Sequence, residues 1–156
     1  MIVLPSPRQR YEQSIQIRAS ATAVEQCLSD RALMHRWLNP ALRCDPIGAW
    51  STDLGSRCRF LLRVPLWEPS LIATVVERAP GTIVWEFEGF FRGCDRWECQ
   101  PNTAGTRLLN RFEFEIPNAL VRWGFKTFAA SWTRADMEAQ LRRLKRVAEE
   151  IYLLQK

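Results

Sequence analysis

A chain whose middle alternates with period two and whose end steps with the period of a helix can fold in few ways. The clearest alternation is "IVWEFEGFF", from Ile83 to Phe91. Ile83, Trp85, Phe87, Gly89 and Phe91 fall on one side, and Val84, Glu86, Glu88 and Phe90 on the other. Successive side chains of a strand point to opposite faces, so one face meets water and the other meets something apolar. The pattern recurs along the chain. Tyr11, Gln13, Ile15 and Ile17 share a side of Tyr11 to Arg18, and Cys58, Phe60, Leu62 and Val64 oppose Arg57, Arg59 and Arg63. Leu42 to Ile47 and Leu71 to Arg78 read as further strands. Asp95, Trp97 and Cys99 share a side of Cys94 to Gln100, and Leu108, Asn110, Phe112 and Phe114 face inward in Thr106 to Ile116. The turn signals "PLWEP", "APGT", Arg92-Gly93 and "PNTAG" separate consecutive runs, which predicts an antiparallel meander. Counting back from "PNTAG" places Trp97 opposite Asn110 and Asp95 near Phe112.

Two short helices are expected early. "SATAVEQCLSD" starts one, with Ser20 or Thr22 as cap and Thr22 with Glu25 in a capping box; Asp30 caps "RALMHRWL", which Asn39-Pro40 ends. At the other end, Met137, Leu141, Leu144, Ala148 and Ile151 step by four, three, four and three, an amphipathic helix. Leu120, Val121, Phe125, Phe128 and Trp132 extend its apolar side, so one helix is expected from Ala119 to Leu154, roughly 50 Å long, with Gly124 as a weak point. Such a helix needs a broad apolar surface, and a curved sheet with an aromatic inner face supplies one. Without low-complexity linkers or repeats, the reading is a loose leader over residues 1–10 and a single domain over 11–156.

Composition bounds function more by exclusion. Hydrophobic residues make up 47% and charged residues 25%, as in ordinary folded domains, with seven Trp and eight Phe as large apolar material for a core or a ligand site. The net charge of +5 is carried by scattered Arg, and the run Arg142, Arg143, Lys145, Arg146 is interleaved with Glu138, Glu149 and Glu150, which argues against a nucleic-acid face. Cys27, Cys44, Cys58, Cys94 and Cys99 form no CxxC pair, a pattern of free thiols in a cytoplasmic protein. The apolar run before Pro5 is too short for a signal-peptide core, and no stretch approaches the ~20 residues of a membrane span. With His35 the only histidine, a multi-histidine metal site is excluded, and His35 itself reads as a partly exposed helix residue. No cofactor signature is present; Gly81, Gly89, Gly93 and Gly105 mark turns rather than a phosphate loop.

Three stretches carry a family likeness: "IRASATAVEQCLSDRALMHRWLNP", "VVERAPGTIVWEF" and "RWECQPNTAGTRLLNRFEFE". Together with the element order, they resemble the START-like, or SRPBCC, superfamily of polyketide cyclases, dehydrases and lipid-transport proteins, over nearly the whole chain after Arg10. The resemblance implies an α+β helix-grip fold. A curved antiparallel sheet of six to seven strands would wrap one long C-terminal helix, with two short helices after the first strand and a cavity between sheet and helix. It is specific for architecture and nearly silent on chemistry.

On that fold Trp85 and Phe87 are expected to face the cavity, with Phe60, Leu62, Trp97, Phe112 and the helix residues Phe128 and Trp132. Asp95 and Asn110 are its inward polar groups. A carboxylate facing an apolar space has a raised pKa, which makes Asp95 the candidate acid or base, and Asn110 a group that orients a ligand. Trp67, at the tip of "PLWEP", is a lid, a membrane-touching finger or a packed side chain. Three functions follow: a carrier or sensor of an apolar, lipid-like or ring-containing ligand; a cyclase or dehydratase using Asp95; or an interaction module without a cavity. The oligomeric state is open.

Overall fold

The computed structural model describes residues 8–63, 69–89, 91–115 and 130–156, with side chains in the last segment from 134 onward. Seven strands, β1 (Gln9–Ile17), β2 (Leu42–Pro46), β3 (Arg57–Leu62), β4 (Ser70–Ala79), β5 (Thr82–Gly89), β6 (Arg92–Asn102) and β7 (Gly105–Glu115), form one curved antiparallel sheet. Their order is β1-β7-β6-β5-β4-β3-β2, a meander from β2 to β7 with β1 added beside β7. Helices α1 (Ala21–Ser29) and α2 (Arg31–Trp37) follow β1, and α3 (Ala130–Leu154) ends the chain. The expected helical residues from Ala119 to Ala129, together with Trp67, Phe128 and the side chain of Trp132, lie outside the described residues. β1 begins at Gln9, two residues earlier than the alternation from Tyr11 suggests.

The early helices are set by their caps. Ser20 Oγ accepts the Ala23 N–H at 3.2 Å, and Asp30 Oδ1 accepts that of Leu33 at 3.0 Å. The expected capping box of Thr22 and Glu25 does not form, because Thr22 lies inside α1. Glu25 turns outward instead, accepting the Gly81 N–H at 3.0 Å and pairing with Arg78 at 2.6 Å. It clamps α1 onto the β4–β5 turn.

The Gly-Thr that ends the β6–β7 turn has a steric reason. Gly105 sits at φ +131°, and a Cβ there would lie 2.3 Å from the Ile17 carbonyl oxygen. Thr106, fully buried, then donates its hydroxyl to the Ala19 carbonyl at 2.8 Å. The turn is thereby fastened to the end of β1.

One alternation expectation fails. Val84 belongs to the water-facing set of β5 yet is only 4% exposed. Its partners across the sheet are Glu77 and Arg96, and the Arg96 guanidinium bonds Glu77 and Glu98, each at 2.6 Å. The stems of these paired side chains cover Val84, as long charged side chains commonly do for apolar surface.

The helix α3 buries Leu141, Leu144, Val147 and Ala148 in the core, with Ile151 half-buried at its edge. Its main neighbours are β1, α1 and α2, rather than the full concave face of the sheet. Arg143 Nε donates to the Trp37 carbonyl at 2.9 Å, and Arg36 pairs with Glu150 at 2.6 Å. With α3 seated on that side, part of the inner face, including Phe60, Trp85, Trp97 and Phe112, borders a space between the sheet and the helices. All five cysteines are free thiols. No helix among the described residues is long and apolar enough to cross a membrane.

Candidate functional site

That space is a cavity of about 270 Å³ bounded by the sheet, the two short helices and α3. Of the residues expected from alternation, Phe60, Leu62, Trp85, Phe87, Asp95, Trp97, Asn110 and Phe112 line it. The ladder explains the convergence. Asp95 lies between Phe112 of β7 and Trp85 of β5, and Trp97 between Asn110 of β7 and Ile83 of β5. Gln13 of β1 is the partner of Asn110 and extends that row. The inner face therefore presents one carboxylate inside an aromatic row, beside a row carrying two amides.

The aromatic walls hold one another in place. Phe60 meets Trp85 and Phe87 edge-on at 6.5 and 6.2 Å, and Phe87 meets Phe112 at 5.9 Å. Trp97 meets Trp37 edge-on at 5.4 Å. Trp37 is 3% exposed, and its indole N–H donates to the Cys27 carbonyl at 2.8 Å.

Asp95 accepts from Asn110 Nδ2 at 2.6 Å and from Trp97 Nε1 at 2.7 Å, one neutral donor to each oxygen. Asn110 is buried and spends its second amide hydrogen on the Arg96 carbonyl at 3.2 Å. Because acceptors flank both hydrogens, the orientation of this amide is fixed by chemistry. Asp95 is enclosed by protein yet keeps some accessible surface, and that surface belongs to the cavity. Burial pushes its pKa up to about 6, with the bonds from Asn110 and Trp97 pulling the other way.

The shift has a sign that can be measured. The unfolded carboxyl titrates near 3.9, so on acidification the folded state takes up its proton first. The cost of the buried charge is present in full above about pH 6 and is relieved as pH falls towards 4. Wild type should therefore gain stability relative to Asp95→Asn between pH 7.5 and 4.5, by about 2 kcal/mol. Denaturant titrations of both proteins at the two pH values measure this, and a constant difference would place Asp95 in water.

Several lining residues escape sequence reading. Trp37, Met34 and Leu28 come from the short helices, and Asp136, Met137 and Gln140 from the start of α3. Asp136 accepts from Asn39 Nδ2 at 2.7 Å and from Gln140 Nε2 at 3.0 Å, a polar cluster joining α3 to the end of α2. Only tertiary packing brings Asn39 and Asp136 together. Gln13 and Phe91 were legible, since alternation puts them on the inner side. His35 plays a structural part, its Nε2 accepting the Cys44 N–H at 3.2 Å.

Residues 8–149 match the model of a family described as polyketide cyclase / dehydrase and lipid transport. The chain belongs to that family. No curated protein matches it in sequence. Among solved structures, a protein of Thermus thermophilus is similar with a TM-score of 0.70 at 16% identity, over 91% of this chain and 97% of the other. A protein of Chromobacterium violaceum is similar with a TM-score of 0.72 at 11% identity, over 90% and 96% of the two chains. At such identities the likeness establishes the helix-grip fold of the polyketide cyclase and lipid-transport family, and leaves the chemistry to the site.

Proposed function

We propose that this chain binds an apolar, ring-containing small molecule in the cavity between sheet and C-terminal helix, as a carrier or sensor. The observation that carries the reading is the wall itself. Five aromatic side chains from four strands, Phe60, Trp85, Phe87, Trp97 and Phe112, converge on one space with few polar groups among them. Ligand sites are built in this way, largely apolar with a few orienting groups. An apolar cavity of about 150 Å³ already takes benzene, so the larger space here suits more than one ring. The family's description, with its polyketide and lipid substrates, is consistent with such a ligand. The five free thiols fit a cytoplasmic location.

Native mass spectrometry of the protein, alone and with Nile red, tests this. The expected result is a saturable one-to-one complex that is lost on denaturation. Absence of any co-purified species together with no saturable Nile red emission would overturn the reading.

A second reading is favoured by one observation, the raised pKa of Asp95 beside Asn110. A carboxyl that titrates near 6 could serve a cyclase or dehydratase as general acid or base. A rate on a polyketide-like substrate that follows a single ionisation near that value and vanishes in Asp95→Asn would select it. The third reading, an interaction module with a filled interior, draws no support from this geometry.

A further inference from the structure

Among the described residues that line the cavity, the ionisable groups are Asp95 on the sheet wall and Asp136 on the helix wall. Both are acidic. Each carboxylate is held by neutral donors, Asp95 by Asn110 and Trp97, and Asp136 by Asn39 and Gln140. An ionised carboxylate has about four lone-pair sites, so each Asp95 oxygen, having accepted one bond, can accept another from a ligand. A ligand carboxylate finds the opposite situation. Its head meets a carboxylate whether it lies against the sheet wall, at Asp95, or against the helix wall, at Asp136. Like charges repel most strongly where water is scarce.

We infer that the cavity selects a ring-bearing molecule that donates a hydrogen bond from one edge, a hydroxyl group above all, to Asp95, and that it rejects carboxylate-ended lipids. This rests on the binding reading above and adds the polarity of the ligand to it. Specificity of this kind is stronger than apolar fit can supply. A site built to bond a ligand hydroxyl leaves its own polar group unpaired when an analogue lacks one.

Three naphthalene derivatives of like shape separate the outcomes by isothermal titration calorimetry at pH 7.5: 2-naphthol, 2-methoxynaphthalene and the anionic 2-naphthoate. The expected result is that 2-naphthol binds on the order of tenfold tighter than 2-methoxynaphthalene, the factor one hydrogen bond to a charged group supplies. The anion 2-naphthoate should be the weakest of the three. In Asp95→Asn the ratio of naphthol to methoxynaphthalene affinity should fall to within about twofold, because the carboxylate that makes the bond charge-assisted is gone. Equal affinities of naphthol and methoxynaphthalene, tightest binding by naphthoate, or an undiminished ratio in Asp95→Asn would each overturn the inference while leaving the binding reading standing. Binding by none of the three also overturns the inference, and the binding reading then stands or falls with the Nile red and native mass-spectrometry result. Should Asp95→Asn fail to fold, the wild-type ranking alone decides.

Discussion

Leu144→Ala should cost about 2–5 kcal/mol of folding stability, the range for a leucine truncated in a sealed core. Leu144 is fully buried on α3, between Leu141 and Ala148, which are buried with it. The helix is held by this apolar stripe where it meets β1, α1 and α2. Truncation there loses the transfer energy of the side chain and opens a hole that neighbours on three elements cannot jointly close. Leu153, on the same helix but 67% exposed, is the internal control. Its change to alanine should stay within about 0.5 kcal/mol. Denaturant unfolding of the two variants gives the comparison, and a loss for Leu144→Ala below half a kilocalorie would mean the helix is not docked.

The sheet was legible because alternation is a local rule with a global consequence. Asp95, Trp97 and Cys99 were assigned to one face from spacing alone, and the turn at "PNTAG" fixed their partners. The ladder pairs Trp97 with Asn110 and Asp95 with Phe112, as counting back from that turn implies. Period two tolerates no half-steps, so a single anchored turn orders a whole hairpin. Where the rule misled, at Val84, the cause was non-local. Burial there comes from the Arg96 ion pairs with Glu77 and Glu98, and all three residues sit on other strands.

The site was legible only on its sheet side. Residues such as Trp85 and Phe112 announce an inner face by alternation. Nothing in the sequence near Asp136 says that it will bond Asn39, a residue 97 positions away. The helical stripe of α3 predicts which residues are apolar and buried, but its polar members gain meaning only from what α2 brings opposite them. Trp37 shows the same limit. It marks the family's opening stretch, yet its place against Trp97 depends on how α2 lies across the sheet. The electrostatic character of the cavity, acidic on two walls, is therefore a property of the packed molecule.

Trp97 is where core and site meet, and it should divide the two by experiment. It is 7% exposed, lies against Trp37, and donates its indole N–H to Asp95. In a filled core, Trp97→Ala would open a new hole and cost about 3–5 kcal/mol. On the wall of a cavity already present, truncation enlarges existing space, so the expected cost is below about 3 kcal/mol. Binding carries the complementary loss. An aromatic anchor in a pocket contributes around 2 kcal/mol or more, about thirtyfold in affinity, so Trp97→Ala should weaken 2-methoxynaphthalene at least tenfold. Trp97→Phe refines the test, because it keeps a ring on the wall and removes only the N–H. It should restore most of the apolar affinity while raising the pKa of Asp95 above about 6, since one of the two bonds that favour the charged form is lost. Titration of Asp95 by carboxyl NMR in wild type and Trp97→Phe reads that shift directly. An unchanged pKa would detach the indole from the carboxylate. Loss of folding in Trp97→Ala, with no apolar ligand bound by wild type, would make Trp97 a packed core residue.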